Sequence, residues 1–164
     1  MQSDIFYLKE NGFGEGLFAK KVINKFEKIL LFEDPVVTGK KSIKLDFKYY
    51  TSAIGNGLQI GKDAYIYLKD PGRVVNHSCN PNSGVIKDNL LIAIKKINID
   101  EEITFDYSTT MDEDCWTLEG KCESKNCRKI IKDFKFLPKE IQNKYLKKRI
   151  VQKFISQNFQ NINF

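Results

Sequence analysis

Hydrophobic and polar positions alternate in short stretches over most of the chain, and the period changes near its end. "GLFAKKV" (16–22), "KILLFEDPVV" (28–37) and "LQIGKDAYIYL" (58–68) are rich in branched and aromatic residues and punctuated by Gly or Pro. That pattern predicts short strands joined by turns. "VIKDNLLIAIKKI" (85–97) predicts a hairpin turning at Asp88-Asn89. "EITFDY" (102–107) predicts a strand with Ile103, Phe105 and Tyr107 on one face and Thr104 and Asp106 on the other. "SIKLDFKYYTSAI" (42–54) suits a loop or a short helix. In "LPKEIQNKYLKKRIVQKFISQNF", Ile141, Tyr145, Leu146, Ile150 and Phe154 recur at helical spacing after a Pro suited to a first turn. This predicts one amphipathic helix of about five turns, basic on its outer face. The chain is thus expected to be mainly β, with a C-terminal amphipathic helix.

At 164 residues the chain is long enough for one domain with a real core. It holds no apolar run of about 18 residues, so no membrane span is expected. "MQSDIFYLKENG" lacks a basic start followed by an apolar stretch, so no signal peptide is expected either. An intracellular, reducing setting follows, cytoplasmic or nuclear (a host nucleus for a pathogen or virus protein). The net charge of +6 is uneven. Residues 128–164 carry ten Lys/Arg and two acids, whereas residues 1–127 carry seventeen Lys/Arg and nineteen acids. Such a basic tail attracts nucleic acid or an anionic surface, or is simply a solvated helix face.

The candidate chemistry is concentrated in a few places. His77, the one histidine, lies in "VVNHSCNPNSG" (74–84) beside Cys79. The other cysteines are Cys115, Cys122 and Cys127. In a reducing setting these thiols are free or metal-bound rather than paired. A nucleophilic Cys79 finds no orienting acid nearby in sequence. Glycines 12, 14 and 16 permit close backbone approach, but no clear helix follows them, so a dinucleotide-binding reading fails on context.

Taken in order, "GFGEGLFAKKV", "GRVVNHSCNPNSG", "IDEEITFDYST" and "KCESKNCRKI" resemble the SET-domain protein lysine methyltransferases, from about residue 5 to residue 135. The likeness is to compact bacterial and viral members. It implies a β-clip SET fold of small curved sheets around a pseudoknot. It divides the chain into a SET core (1–110), a post-SET-like cysteine segment (111–135) and a basic helical extension (136–164). The implied activity is methyl transfer from S-adenosylmethionine to a lysine of a protein or basic peptide, such as a histone tail.

By the same resemblance, Phe13, Gly14, Glu15, Arg73, Asn76, His77, Tyr107 and Trp116 contact the donor. Tyr107 is the expected catalytic residue. Phe105 stands at the family's aromatic switch, which implies di- or trimethyl product. Cys79, Cys122 and Cys127 match three of the four ligands of a structural zinc. The remaining ligand should fall at position 120, which is Gly; either Cys115 replaces it or the site is incomplete. Trp116 and "IIKDFKFL" are candidates for an apolar lid. Asp112, Glu113, Asp114, Glu119 and Glu123 either line a groove for a Lys/Arg-rich peptide docked as an added strand or form a solvated loop. Two other readings are a SET-like module that binds without turnover and a small zinc-dependent nucleic-acid binder. The latter leaves "NHSC" and "EEITFDY" unexplained.

Overall fold

The computed structural model describes residues 3–12, 14–38, 56–114 and 116–160. Phe13, Cys115 and the ambiguous stretch 42–54 lie outside the described residues. The architecture is mainly β, in four small antiparallel sheets, with two short helices at the end. β1 (Phe6–Glu10) and β2 (Glu15–Ala19) form a hairpin. β3 (Lys28–Leu31), β7 (Ser83–Ile86) and β8 (Leu90–Ala93) form a sheet ordered β3-β8-β7. β4 (Val36–Thr38), β5 (Gly57–Gly61) and β6 (Ala64–Tyr67) form another, ordered β4-β6-β5. β9 (Thr117–Glu119) pairs with β10 (Ile130–Lys132).

Several expectations are corrected by how these strands pair. The stretch 28–37 is two strands in different sheets, because the chain between them turns Phe32 into the core at 2% exposure. Burying such a side chain contributes about 1.5–3 kcal/mol. The 85–97 hairpin turns where expected, its three-residue loop Lys87–Asn89 containing Asp88-Asn89. Lys87 and Asp88 hold the positive φ values of 50° and 68°, and Ile86 pairs with Leu90. Left-handed residues let so short a loop reverse the chain.

Residues 102–107 do not form a ladder strand. Their backbone is shared among several segments: Ile103 N–H donates to Leu17 O at 2.7 Å, and Phe105 N–H to Asn76 O at 3.2 Å. Ser78 and Ser83 donate back to Phe105 O and Thr104 O. Only isolated bridges result, Phe18 with Glu102 and, in parallel, His77 with Phe105. Ile103 and Phe105 do face the core, but Tyr107 opens a 3-10 turn over Tyr107–Thr110. Asp106 caps that turn by accepting from Ser108 N–H.

The single long helix is also corrected. α1 (Lys139–Lys148) and α2 (Lys153–Gln160) are separated at Arg149, whose φ is 56°. Arg149 N–H donates to Leu146 O, and Ile150 N–H to Tyr145 O, satisfying carbonyls at the helix end. The chain leaves the helix because residues 150–152 insert into the β body. Ile150 packs against Gly84, and Gln152 Nε2 donates to Gln59 O and Asp88 O, both at 3.0 Å. Ile150 and Ile155 join Phe134, Tyr145 and Ile94 in a second core. The main core gathers Leu17, Phe32, Ile97, Ile103 and Phe105.

Candidate active site

The 3-10 turn at Gly72–Val74, the segment after it, the 102–107 stretch and residues 116–118 converge on a cavity of about 290 Å3. Arg73, Asn76, Phe105, Tyr107, Met111 and Trp116 are among its walls. The Tyr107 hydroxyl donates to Val75 O at 2.9 Å. Its ring lies 4.9 Å from that of Phe105 and 5.3 Å from that of His77, centroid to centroid. Burial, and secondarily the Glu102 carboxylate, pushes the phenol well above the usual tyrosine range. Tyr107 is therefore a neutral hydroxyl at physiological pH.

Glu102 organises the polar side of the site. Its Oε1 accepts from Asn76 Nδ2 and from Asn11 Nδ2, each at 2.8 Å. Gly16 permits this approach, since a Cβ there would lie 2.5 Å from Glu102 Oε1. Asn76 Nδ2 also donates to Glu15 O at 3.0 Å. One carboxylate and one amide thus tie the glycine-rich turn, where Gly14 has φ 120°, to the 72–79 segment. Arg73 sits on the rim, bonded through Nε and Nη2 to Asp70 and 3.5 Å from Glu15 Oε2.

His77 lies behind the cavity wall. Burial lowers its pKa to about 4, so the ring is neutral. Tyr107 N–H approaches Nδ1 at 3.2 Å. A backbone amide can only donate, so Nδ1 is the bare nitrogen and Nε2 carries the proton. Nε2–H then donates to Cys79 Sγ at 3.3 Å. The ligand atoms of His77, Cys79 and Cys122 all lie within 4.8 Å of one another. Cys127 interacts with both thiols. Cys79 N–H points at Cys122 Sγ and Arg128 N–H at Cys79 Sγ, both at 3.4 Å. Burial pushes the Cys79 thiol up to about 12, a cost that binding a cation removes. Three sulfurs surrounded by N–H donors are a donor set that fits zinc. Position 120 offers no fourth ligand: a Cβ on Gly120 would lie 2.9 Å from Ile131 Cδ1 and 3.3 Å from Lys129 O.

A SET-domain family model matches residues 14–108. The chain belongs to the SET-domain family. It is 27% identical over 128 residues to "Histone-lysine N-methyltransferase set1" of Dictyostelium discoideum, covering 71% of this chain and 8% of that protein. It is 28% identical over 137 residues to the human "Histone-lysine N-methyltransferase 2B", covering 72% and 5%. It is 30% identical over 127 residues to "Histone-lysine N-methyltransferase, H3 lysine-36 specific" of Candida albicans, covering 66% and 15%. The chain therefore spans a small fraction of these much longer relatives.

In this SET domain, five of the expected site residues share the cavity: Arg73, Asn76, Phe105, Tyr107 and Trp116. Glu15 reaches it through Asn76 and Arg73, Gly14 is not among its walls, and His77 backs it from the thiol side. None of the acids in 112–123 lines it. Asp112 and Asp114 pair with Lys135, Glu113 accepts from Gln59, and Glu119 pairs with Lys121. Glu102 and Asp106 were missed as organising residues. A signal existed in "EEITFDY", whose acids flank the expected core-facing positions.

Among the described residues, no helix is long and apolar enough to cross a membrane.

Proposed function

We propose that this SET domain transfers a methyl group from S-adenosylmethionine to lysine side chains of a basic protein substrate such as a histone tail. The observation that carries this reading is the neutral Tyr107 hydroxyl, fixed by Val75 O on the wall of the cavity it shares with Asn76, Arg73 and Trp116. The names of the relatives, each a histone-lysine methyltransferase, support the substrate class.

The residues fit such a donor. Apolar walls from Leu58, Leu68 and Met111 meet a polar rim of Asn56, Arg73 and Asn76, the mixture a nucleoside with an amino-acid tail requires. The donor supplies an electrophilic methyl on a sulfonium. Gly14, Glu15, Asn76 and His77 would hold it largely through backbone groups, together with Phe13, and Trp116 would serve as a lid. Tyr107 orients the attacking amine, so much of the acceleration comes from positioning. Phe105, Met111 and Leu118 exclude water around that amine, which favours its neutral, nucleophilic form. Phe105 offers no hydroxyl to hold a water there, leaving room for di- or trimethyl product.

Cys79, Cys122 and Cys127 would hold a structural zinc, with Cys115 as fourth ligand. His77 does not serve as that ligand, because its Nε2 proton is used on Cys79. The metal would tie residues 116–132 to the segment carrying Asn76. A reducing intracellular setting, cytoplasmic or nuclear, suits these thiols.

The test is incubation of the full chain with methyl-labelled S-adenosylmethionine and a panel of histones and basic peptides. Label on substrate lysines is the expected result. Tight donor or peptide binding with no label would leave a binding module instead.

A further inference from the structure

A second cleft lies between α1 and the loop that follows β8. It has a volume of about 110 Å3, and Lys95, Lys144 and Lys148 line it with Asn80. Lys144 and Lys148 are one turn apart on α1, so their stems leave the same face. Lys95 follows Ile94, whose N–H is fixed to Asn82 O at 2.9 Å. Lys25, on the turn after β2, acts on Lys148 together with Lys95 and Lys144. Burial and then these three neighbours lower the Lys148 pKa. Among the described residues none of the four lysines has a carboxylate partner, although other lysines of the chain do. Like charges held together on packed elements repel one another until an anion neutralises them.

We propose that this cleft seats the phosphodiester backbone of nucleic acid, with Lys95, Lys144 and Lys148 around one phosphate and Lys25 beside them. The cleft is too small for a nucleoside or a peptide segment but accepts a phosphate group. Exposed Lys147 and Arg149 extend the charge along α1, as a polyanion requires. An anionic membrane is a poorer match, because surface-binding helices present large apolar residues to the lipid. Here the apolar residues of the cleft, Ile94 and Tyr145, are 7% and 2% exposed. The contact positions the backbone and does not read bases, since its charge comes from lysines around a phosphate-sized cleft. It also sharpens the expectation for the basic tail: α1 is docked, and its charge is joined by lysines of the SET core.

The experiment is fluorescence anisotropy of a labelled duplex of about 20 base pairs against the full chain, without donor or peptide. Its outcome is therefore independent of methyl transfer. Four neutralising contacts predict that affinity falls on the order of 100-fold between about 50 and about 200 mM salt. Lys144→Glu with Lys148→Glu should weaken binding at least tenfold. Lys25→Glu with Lys95→Glu, on the other wall, should do the same. Circular dichroism checks that each pair is folded, so loss through misfolding of one is caught by the other. Lys9→Glu with Lys62→Glu makes the same charge change elsewhere and should have a several-fold smaller effect. The proposal is overturned if the duplex does not bind at low salt or if all three pairs weaken it equally. Competition by inorganic phosphate at equal phosphate concentration, or binding to phosphatidylserine vesicles in preference to the duplex, would overturn it as well.

Discussion

Arg128 places both terminal guanidinium nitrogens on Asp106, each at 2.7 Å, where the carboxylate is wholly buried. Tyr145 of α1 adds a further donor at 3.0 Å. One residue of the 102–107 stretch therefore anchors both the segment after Cys127 and the C-terminal helix. Removing one partner of a buried pair leaves an uncompensated charge and costs about 3–5 kcal/mol. Arg128→Ala should lower stability by that amount in urea denaturation, and Tyr145→Phe by about 1.5–3 kcal/mol. A loss under about 1 kcal/mol for Arg128→Ala would mean that the pair is effectively solvated.

Tyr107→Phe removes one hydroxyl from the cavity and one hydrogen bond to Val75 O. Its packing against Phe105 and His77 remains. The variant should fold, lose about 1 kcal/mol of stability, and lose most of its methyl transfer. Turnover within about threefold of the parent corresponds to under 1 kcal/mol of barrier. That result would remove Tyr107 from the reaction.

How much of this was legible depended on the range of the signal. The turn-and-alternation pattern located β2, β3, the β5–β6 hairpin and β7–β8, because turn chemistry and side-chain alternation are local. β1 was passed over, since "FYLKE" is a short strand with no alternation to mark it. The 102–107 stretch alternates like a strand, yet its backbone donors and acceptors are claimed by Leu17, Asn76, Ser78 and Ser83. No property of the six residues states that. The helix break at Arg149 was equally hidden. Neither Gly nor Pro marks it, and Ile150 continues the helical period while packing on Gly84. The dense motifs drew attention to Asn76, Phe105 and Tyr107, which line one cavity. Their organiser Glu102 was not singled out, because its partners Asn11 and Asn76 are 91 and 26 residues away.

Phe105 is 4% exposed, and its ring faces both the cavity and Tyr107. Phe105→Tyr places a hydroxyl and its hydration in the space left for methyl groups on the amine. At exhaustive reaction the parent should give di- or trimethyl-lysine by mass spectrometry, and the variant should stop at fewer methyl groups. A parent that yields only monomethyl product would contradict the reading of Phe105.

Glu113 gives the loop after Met111 a pH dependence. Burial first, then the carboxylates of Asp133, Asp63 and Asp114, raises its pKa to about 7. A carboxyl whose folded pKa is raised contributes stability that is fully present below the unfolded value of 4.5 and is lost as pH rises through about 7. The group is partly exposed, so solvent screening holds the effect to about 1 kcal/mol. Melting temperature should fall between pH 5 and pH 8. Glu113→Gln keeps an acceptor for Gln59 Nε2 and should flatten that fall. An unchanged slope in the variant would assign the pH dependence to another group.

The thiol cluster makes a prediction that separates its candidate fourth ligands. Tyr107 N–H uses His77 Nδ1, so the Nε2 proton is committed to Cys79 and the imidazole supports the sulfur instead of binding metal. Gly120 supplies no side chain, and a Cβ there would crowd Ile131 Cδ1 at 2.9 Å. Cys115 is the one other cysteine of the sequence and the proposed fourth ligand. Elemental analysis should find about one zinc per chain, lost on Cys122→Ser. Cys115→Ser should retain zinc after gel filtration but release it to a chelator at least tenfold faster, since a three-thiolate site keeps an open position. The metal-free chain should melt at a lower temperature, because metal binding is coupled to folding. If Cys115→Ser releases zinc no faster than the parent, Cys115 is not the fourth ligand, and that position belongs to water or to a displaced His77.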